Sequence, residues 1–428
     1  MKRYYVRDLE SMQQQKVLVK GWIHRIHDLG RIVFVTLRDK TGLVQLVLDE
    51  RQKEGLRLEM ALEVTGTVAE NPKAIGGVEI KVDGIRIVGQ AHYDKLPFAV
   101  NREEGVHLET QLNHRTISLR NPKTRAPFTI QNEIVAAFSE YLKENDFSEI
   151  HTPKIISSGT EGGSEMFTVK YFDTRAFLAQ SPQFYKQMMV GAGFERVFEI
   201  GHAYRAELHN TWRHLNEYVS LDIEMGFIED ENDIMDLEED LLKYILNHLN
   251  KNCKKELELL QVELPVITSI PRIELEKARE ILLEEYNKKS PLGNLDAEGE
   301  ILFSKYIKEK YDSDFVFLTR YPASKRPVYT MPVRDEPELT RSFDLIFRGL
   351  EITTGGQRIH DYIQLTDNMI AFGLNPEDFD FYLETFRYGM PPHGGLAIGL
   401  ERLTMKFCQL ENIREATLLP RDMKRITP

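Results

Sequence analysis

Two stretches of the sequence carry charged side chains at spacings that suit a polyanionic ligand. The first runs Gly389-Met390-Pro391-Pro392-His393-Gly394-Gly395-Leu396-Ala397-Ile398-Gly399-Leu400-Glu401-Arg402. It reads as a Gly/Pro turn, a small-residue strand and a helix opened by Gly399. Small residues let a ligand approach the backbone closely. Arg402, in the first helical turn, offers a planar fork to phosphate oxygens. A glycine turn beside a surface arginine is the alternative. The second stretch runs from Phe198 to Tyr218, where two strand patterns flank a polar loop as in a hairpin. Arg205 and Glu207 alternate on one face, and Arg213 and His214 sit in or just past the loop. Such a density of charge is costly unless it holds a charged ligand; a solvated hairpin is the alternative.

Asp344 and Glu351 bracket a tight turn near Arg348-Gly349, so they can meet across a strand pair. Paired hard carboxylates suit Mg²⁺ shared with phosphate oxygens, and surface ion pairs are the competing reading. Cys253 and Cys408 lie far apart with no zinc spacing.

The elements that must position these residues divide into two kinds. Short runs rich in Val, Ile and Leu at 17–24, 32–38, 43–48, 62–68 and 78–87 predict five strands. Turn signals such as Asp39-Lys40-Thr41-Gly42 and Asn71-Pro72 separate them. The pattern suggests a small barrel of the oligonucleotide-binding (OB) type over residues 1–95. Residues 96–124, with Pro97 and Pro122, read as a hinge. A helix is predicted from near Pro127 to Asn145-Asp146, on the spacing of Ile130, Ile134, Phe138 and Leu142. Strands follow at 147–150, 177–179, 196–201, 220–227, 315–318, 343–347, 350–353 and 395–398. A long helix spans 232–255, and 257–314 reads as an inserted helical piece. The order does not repeat as βαβ, so residues 125–428 predict an antiparallel sheet flanked by helices, and the chain is of the α+β class.

With 42% hydrophobic and 29% charged residues, the 428-residue chain has the profile of a soluble globular protein of two or three domains. The net charge of −12 argues against a simple nucleic-acid coat protein, yet a local basic face can coexist with it. No apolar leader and no run of membrane-span length is visible, and a reducing cytoplasm is the expected setting.

The two charged stretches together resemble motifs 2 and 3 of the class II aminoacyl-tRNA synthetases, and Pro153, after a helix and short strand, matches the shorter motif 1. The resemblance implies a six- or seven-stranded antiparallel sheet, a homodimer through motif 1, and ATP bound in a bent shape. It places Arg205 on the α-phosphate, Glu207 at the adenine end, and Arg213 and His214, with Leu215 beside them, at the β/γ-phosphates. Arg402 falls on the far side of the triphosphate. Tyr218 stands where the family often stacks Phe on adenine. Arg205 and Arg402 are thus the implied catalytic pair. Attack of a carboxylate on the α-phosphorus builds negative charge that arginines and metal ions stabilise without a protein nucleophile. Asp344, Glu351 and Thr354 match metal positions, and Glu351 also belongs to the ATP set.

Ala179-Gln180-Ser181-Pro182-Gln183-Phe184-Tyr185-Lys186 and Gly355-Gly356-Gln357-Arg358 look like the aspartate-specific subgroup, in its archaeal/eukaryotic type. The match implies that Lys186 and Arg358 bind the side-chain carboxylate of L-aspartate. Ser181, Gln183 and Asp222 orient the amino end, and Thr354 keeps a hydroxyl where relatives often have Ser. Glu161, in a glycine-rich loop, is implied to close over the amino acid. Two cations suit an anionic side chain and reject neutral asparagine, because a buried unpaired positive charge is expensive. In the barrel, Arg25, Phe34 and Gln45 match positions that stack and read the central anticodon base, and Glu79 matches an anticodon-contacting acid. Phe34 reads equally well as core. His24 and Lys73 lie where the last anticodon base is read. His24 is similar to the strict pattern, which charges tRNA(Asp) alone; Lys73 is similar to the relaxed one, which also charges tRNA(Asn). The balance leans to strict. An asparagine-specific relative, a tRNA-independent amide-forming enzyme on the same catalytic fold, and a non-catalytic nucleic-acid-binding protein built on the barrel are the rival readings.

Overall fold

The computed structural model describes residues 1–101, 105–159 and 166–427. The chain divides into two compact units, Met1–Thr124 and Arg125–Pro428. Residues 96–124 belong to the first unit.

The first unit holds β1 (Arg3–Tyr4), β2 (Lys16–Asp28), β3 (Ile32–Arg38), β4 (Leu43–Asp49), β5 (Ala61–Glu70) and β6 (Val78–Gly89). Their order is β1-β2-β3-β4-β6-β5, and pairing of β2 with β5 closes the five long strands into a barrel. The alternating sequence drives this closure. Val33, Val35 and Leu37 on β3 and Val44, Leu46 and Leu48 on β4 point inward and are buried, leaving Phe34, Thr36, Gln45 and Val47 on the other face. Gly21 lets β2 lie close to β3, for a Cβ there would stand 2.3 Å from the Arg38 carbonyl oxygen. The register of β2 against β3 slips between Ile23 and Arg25, so His24 is the extra residue of a bulge, a device that re-aims a side chain.

Helix α1 (Pro122–Glu144) begins in the last residues of the first unit and continues into the second. The helix begins earlier than the expected start near Pro127, which lies inside it. Asn121 Oδ1 accepts from the Lys123 N–H at 2.8 Å, and proline at the first helical position suits that start. Behind α1 stands a sheet of β7 (Ser148–Glu149), β8 (Arg196–Tyr204), β9 (Glu217–Gly226), β10 (Arg272–Glu274), β11 (Phe315–Thr319), β12 (Ser342–Phe347), β13 (Leu350–Arg358) and β14 (His393–Gly399). The order is β10-β11-β12-β13-β14-β9-β8-β7. The six central strands pair antiparallel, and only the two short edge strands pair parallel.

The segment expected to be an all-helical insertion supplies one of those edges. Ile273 of β10 packs on the apolar cluster formed by Leu275, Ala278, Phe303 and Ile307, so the strand and helices Leu275–Tyr286 and Ala297–Tyr311 fold as one layer. The long helix Asn232–Asn252 stops at Cys253 and a second helix, Lys254–Leu260, follows. Arg348 and Gly349 form the β12–β13 turn with φ of 46° and 77°, the left-handed pair that a two-residue hairpin of this twist requires. No helix among the described residues is long and apolar enough to cross a membrane.

Candidate functional site

A cavity of about 970 Å³ opens over β9, β13 and β14 in the second unit. Its wall includes Ser181, Gln183, Lys186, Arg205, Glu207, Arg213, His214, Leu215, Tyr218, Asp222, Glu351, Thr354, Arg358 and Arg402. The structure therefore gathers residues from more than 220 positions of chain around one space. Glu161 lies outside the described residues. Asp344 is not on the wall.

One end of the cavity is a lattice of buried charge. Helix Gln183–Met189 carries Lys186 into it, where the ammonium donates to Asp222 Oδ1 at 3.1 Å, to the Ile223 carbonyl at 3.2 Å and to the Leu396 carbonyl at 3.1 Å. Arg358 donates from Nε to Glu224 Oε1 at 3.1 Å and from Nη2 to the Gly395 carbonyl at 3.0 Å. Glu224 also stands 3.4 Å from Lys186 Nζ and accepts from Gln183 Nε2 at 3.3 Å. Burial pushes the Asp222 carboxyl up despite Lys186. Burial acts on Glu224 too, but Arg358 and Lys186 outweigh it and hold that carboxyl below its usual range.

Lys186 and Arg358 are each paired with an acid, so a bound carboxylate shares existing donors. Glu224 was missed in the sequence, although it lies two residues beyond Asp222 on one strand and so on the same face. Gly395 makes room for it, since a Cβ there would lie 2.3 Å from Glu224 Oε2.

The other end is open and richer in arginine. Arg205 lies 3.9 Å from Glu207 and its guanidinium sits 5.8 Å from the centre of the Tyr218 ring. His214 accepts or donates at Thr211 Oγ1 over 2.6 Å and lies 4.0 Å from Glu207. Burial, with Arg402 and Arg213 nearby, lowers His214 to about 4, so the ring is neutral at pH 7. Arg402 donates to the Glu351 carbonyl at 2.9 Å and to its carboxylate at 3.3 Å. The loop between β8 and β9 is held from outside. Arg414 donates to the Thr211 carbonyl at 3.0 Å and to Asn210 Oδ1 at 2.6 Å, and Arg213 donates to Glu300 Oε2 at 2.6 Å.

The three expected metal positions separate. Glu351 and Thr354 face the cavity, with Thr354 Oγ1 3.4 Å from Glu351 Oε1. Asp344, across from Thr354 in the strand register, is buried and lies 2.8 Å from Arg326 Nη2. The Arg326 guanidinium in turn lies 3.7 Å from the centre of the Tyr321 ring. Asp344 is thus occupied by an internal cation that the sequence did not reveal. Among the described residues no group of three or more His, Cys, Asp or Glu forms a ready metal cage. The fit for a divalent cation is a carboxylate and a hydroxyl at the cavity wall, open to further oxygens from a ligand.

In the first unit, Arg25, Thr36, Gln45 and Glu79 fall opposite one another on adjacent strands. Gln45 Nε2 donates to Glu79 Oε2 at 3.0 Å, and Asn71 Nδ2 donates to the same oxygen at 2.7 Å. Asn71 Oδ1 accepts from the Lys73 N–H at 3.1 Å, which ties the Lys73 loop to this row. Phe34 stands on the same outward face and not among the buried core residues of the barrel. His24 is set apart by the bulge. Its Nδ1 lies 2.8 Å from Arg38 Nη1. An arginine only donates, so Nδ1 accepts and the proton resides on Nε2. Burial and Arg38 lower His24 to about 4. Arg38 is itself buried against Glu59 at 2.7 Å.

A sequence profile described as tRNA synthetases class II (D, K and N) matches residues 107–423, and one described as an OB-fold nucleic acid binding domain matches 17–88. The chain is similar to the aspartate–tRNA(Asp/Asn) ligase of Aeropyrum pernix, at 49% identity over 98% of this chain and 97% of that one. It is similar to the aspartate–tRNA(Asp) ligase of Pyrococcus abyssi at 44%, over 98% of each. Among solved structures it resembles the asparaginyl-tRNA synthetase of Pyrococcus horikoshii complexed with asparaginyl-adenylate, with a TM-score of 0.93 at 28% identity over all of both chains. It also resembles a putative aspartyl-tRNA synthetase of Leishmania major, with a TM-score of 0.90 at 31% identity over 100% of this chain and 94% of the other. Shape alone does not separate aspartate from asparagine here, whereas identity does. The chain belongs to the class II tRNA synthetases of the D, K and N group, among the aspartate–tRNA ligases.

Proposed function

We propose that the chain activates L-aspartate with ATP and transfers it to the 3′ end of tRNA. The carrying observation is the single cavity that has arginines and an aromatic ring at one end and the paired Lys186–Arg358 lattice at the other. The aspartate α-carboxylate attacks the α-phosphorus. A carboxyl-oxygen–phosphorus bond forms and the bond to diphosphate breaks. The terminal hydroxyl of tRNA then attacks the activated carbonyl, and AMP leaves.

In this reading Arg205 binds the α-phosphate, and Arg213, His214 and Arg402 hold the rest of the triphosphate. Tyr218 stacks on adenine, Glu207 fixes its edge and Leu215 lines that end. Arg205 and Arg402 meet charge as it develops, which is where fixed donors lower a barrier. His214 adds a hydrogen bond from its ring. Lys186 and Arg358 take the aspartate side chain, and Ser181, Gln183 and Asp222 take its ammonium end; the family resemblance assigns Glu161, outside the described residues, to the amino acid as well. Glu351 and Thr354 would hold Mg²⁺, which would supply charge neutralisation at the phosphates. Asp344 sits behind them, paired with Arg326. The barrel face of Arg25, Phe34, Gln45 and Glu79 stacks and reads the anticodon, with His24 and Lys73 at its last base. The chain acts as a homodimer in the cytoplasm.

For breadth, relatives whose names read tRNA(Asp/Asn) range from 43 to 49% identity and those whose names read tRNA(Asp) from 43 to 44%. The three at 47–49% all read tRNA(Asp/Asn), which favours charging of both tRNAs over the strict reading that His24 suggests. Charging assays with ATP, labelled aspartate and each purified tRNA test both points. Aspartyl ester on both tRNAs is expected. Ester on tRNA(Asp) alone returns the strict reading, and ester on neither refutes the function.

A further inference from the structure

The inserted segment touches the chemistry through one side chain. Glu300 lies on helix Ala297–Tyr311, 87 residues from Arg213 in the chain, and is 5% exposed. Its Oε2 accepts from Arg213 Nη1 at 2.6 Å. Arg213 is on the cavity wall and Glu300 is not, so the acid grips the arginine from behind. Arg402 and Lys406 also act on Glu300, but Arg402 donates to Glu351 and the Lys406 ammonium is committed to the Arg348 carbonyl at 2.9 Å. Arg414 holds Asn210 and Thr211, and the Ile413 N–H donates to the Trp212 carbonyl at 2.9 Å, but these bonds hold the loop and not the Arg213 guanidinium, which Glu300 grips. A long arginine side chain loses much rotamer entropy on binding an anion, and a fixed carboxylate removes that loss in advance.

We propose that Glu300 is a positioning residue for ATP, holding Arg213 so that its guanidinium meets the β/γ-phosphates. The inserted segment is then part of the nucleotide site and not only a packing layer. This rests on the reading of Arg213 given above.

The test is a double-mutant cycle on Arg213→Ala and Glu300→Gln, followed by aspartate-dependent ATP–diphosphate exchange. Glu300→Gln keeps the shape and removes the charge. It should raise KM for ATP about tenfold, the scale of one charge-assisted hydrogen bond, with KM for aspartate unchanged and the thermal midpoint near that of the parent. Arg213→Ala should raise KM for ATP at least as much, and adding Glu300→Gln to it should cost nothing further. If Arg213→Ala leaves KM for ATP at the parent value, the reading of Arg213 fails. If Arg213→Ala is impaired while Glu300→Gln matches the parent, or if Glu300→Gln weakens ATP and aspartate alike, or if the two changes multiply, the positioning role is refuted and the site reading stands.

Discussion

The two units carry opposite charge. Residues 1–124 hold 20 Lys and Arg against 16 Asp and Glu, a net of +4, and residues 125–428 hold 35 against 51, a net of −16. The whole-chain value of −12 is the sum of a basic barrel unit and an acidic catalytic unit. The two sites differ in the same sense. The barrel face is a row of partly exposed side chains in water, joined by few strong pairs. The amino-acid end of the cavity is built from cations already locked to buried acids. A change in the cavity should therefore be large and specific to the first chemical step, and a change on the barrel should be modest, confined to tRNA and sensitive to salt.

The largest effect is expected at Arg205. Arg205→Ala should lower adenylate formation by about 100-fold or more, measured by diphosphate exchange, and near-normal exchange would remove its assigned role. Next is Arg358→Gln, which leaves Glu224 with Lys186 alone. KM for aspartate should rise by about 30-fold or more while KM for ATP moves little. A matching rise in both would break the division of the cavity into two ends. On the barrel, Phe34→Ala should raise KM for tRNA about tenfold, the worth of one base stacked on an aromatic ring. Exchange without tRNA should be untouched, and any loss there contradicts the separation of the units.

The smallest effect concerns stability. Glu238 is fully buried, its Oε1 accepts from Thr353 Oγ1 at 2.5 Å, and burial raises it from 4.5 to about 8. A carboxyl raised in the folded state costs nothing at low pH. It costs progressively more between 4.5, where the unfolded chain ionises, and about 8, where the folded one does. Glu238→Gln should raise the thermal midpoint by at least about 3 °C at pH 8, with the gain fading toward pH 5. A gain independent of pH would show that the proton on Glu238 is not the cause.

What the sequence made legible was local. Strand alternation around Val33, Val35 and Leu37, the turn at Arg348-Gly349 and the runs holding Arg205 and Arg402 each declare themselves within a few residues. The charge partners did not. Glu224 meets Arg358 across 134 positions and Glu300 meets Arg213 across 87, and no period in the chain encodes such pairs. Asp344 was misjudged for the same reason. Its spacing to Glu351 was visible, but the Arg326 that neutralises it comes from a separate loop. Strand Arg272–Glu274 was hidden because three residues at a sheet edge leave no repeat to read.

The central claim is that the paired Lys186–Arg358 lattice selects aspartate for activation by ATP. Amino-acid-dependent ATP–diphosphate exchange tests it most directly, run without tRNA and with aspartate and asparagine in parallel. Exchange that depends on aspartate and stays at background with asparagine is the predicted result. Exchange with asparagine and none with aspartate would contradict it.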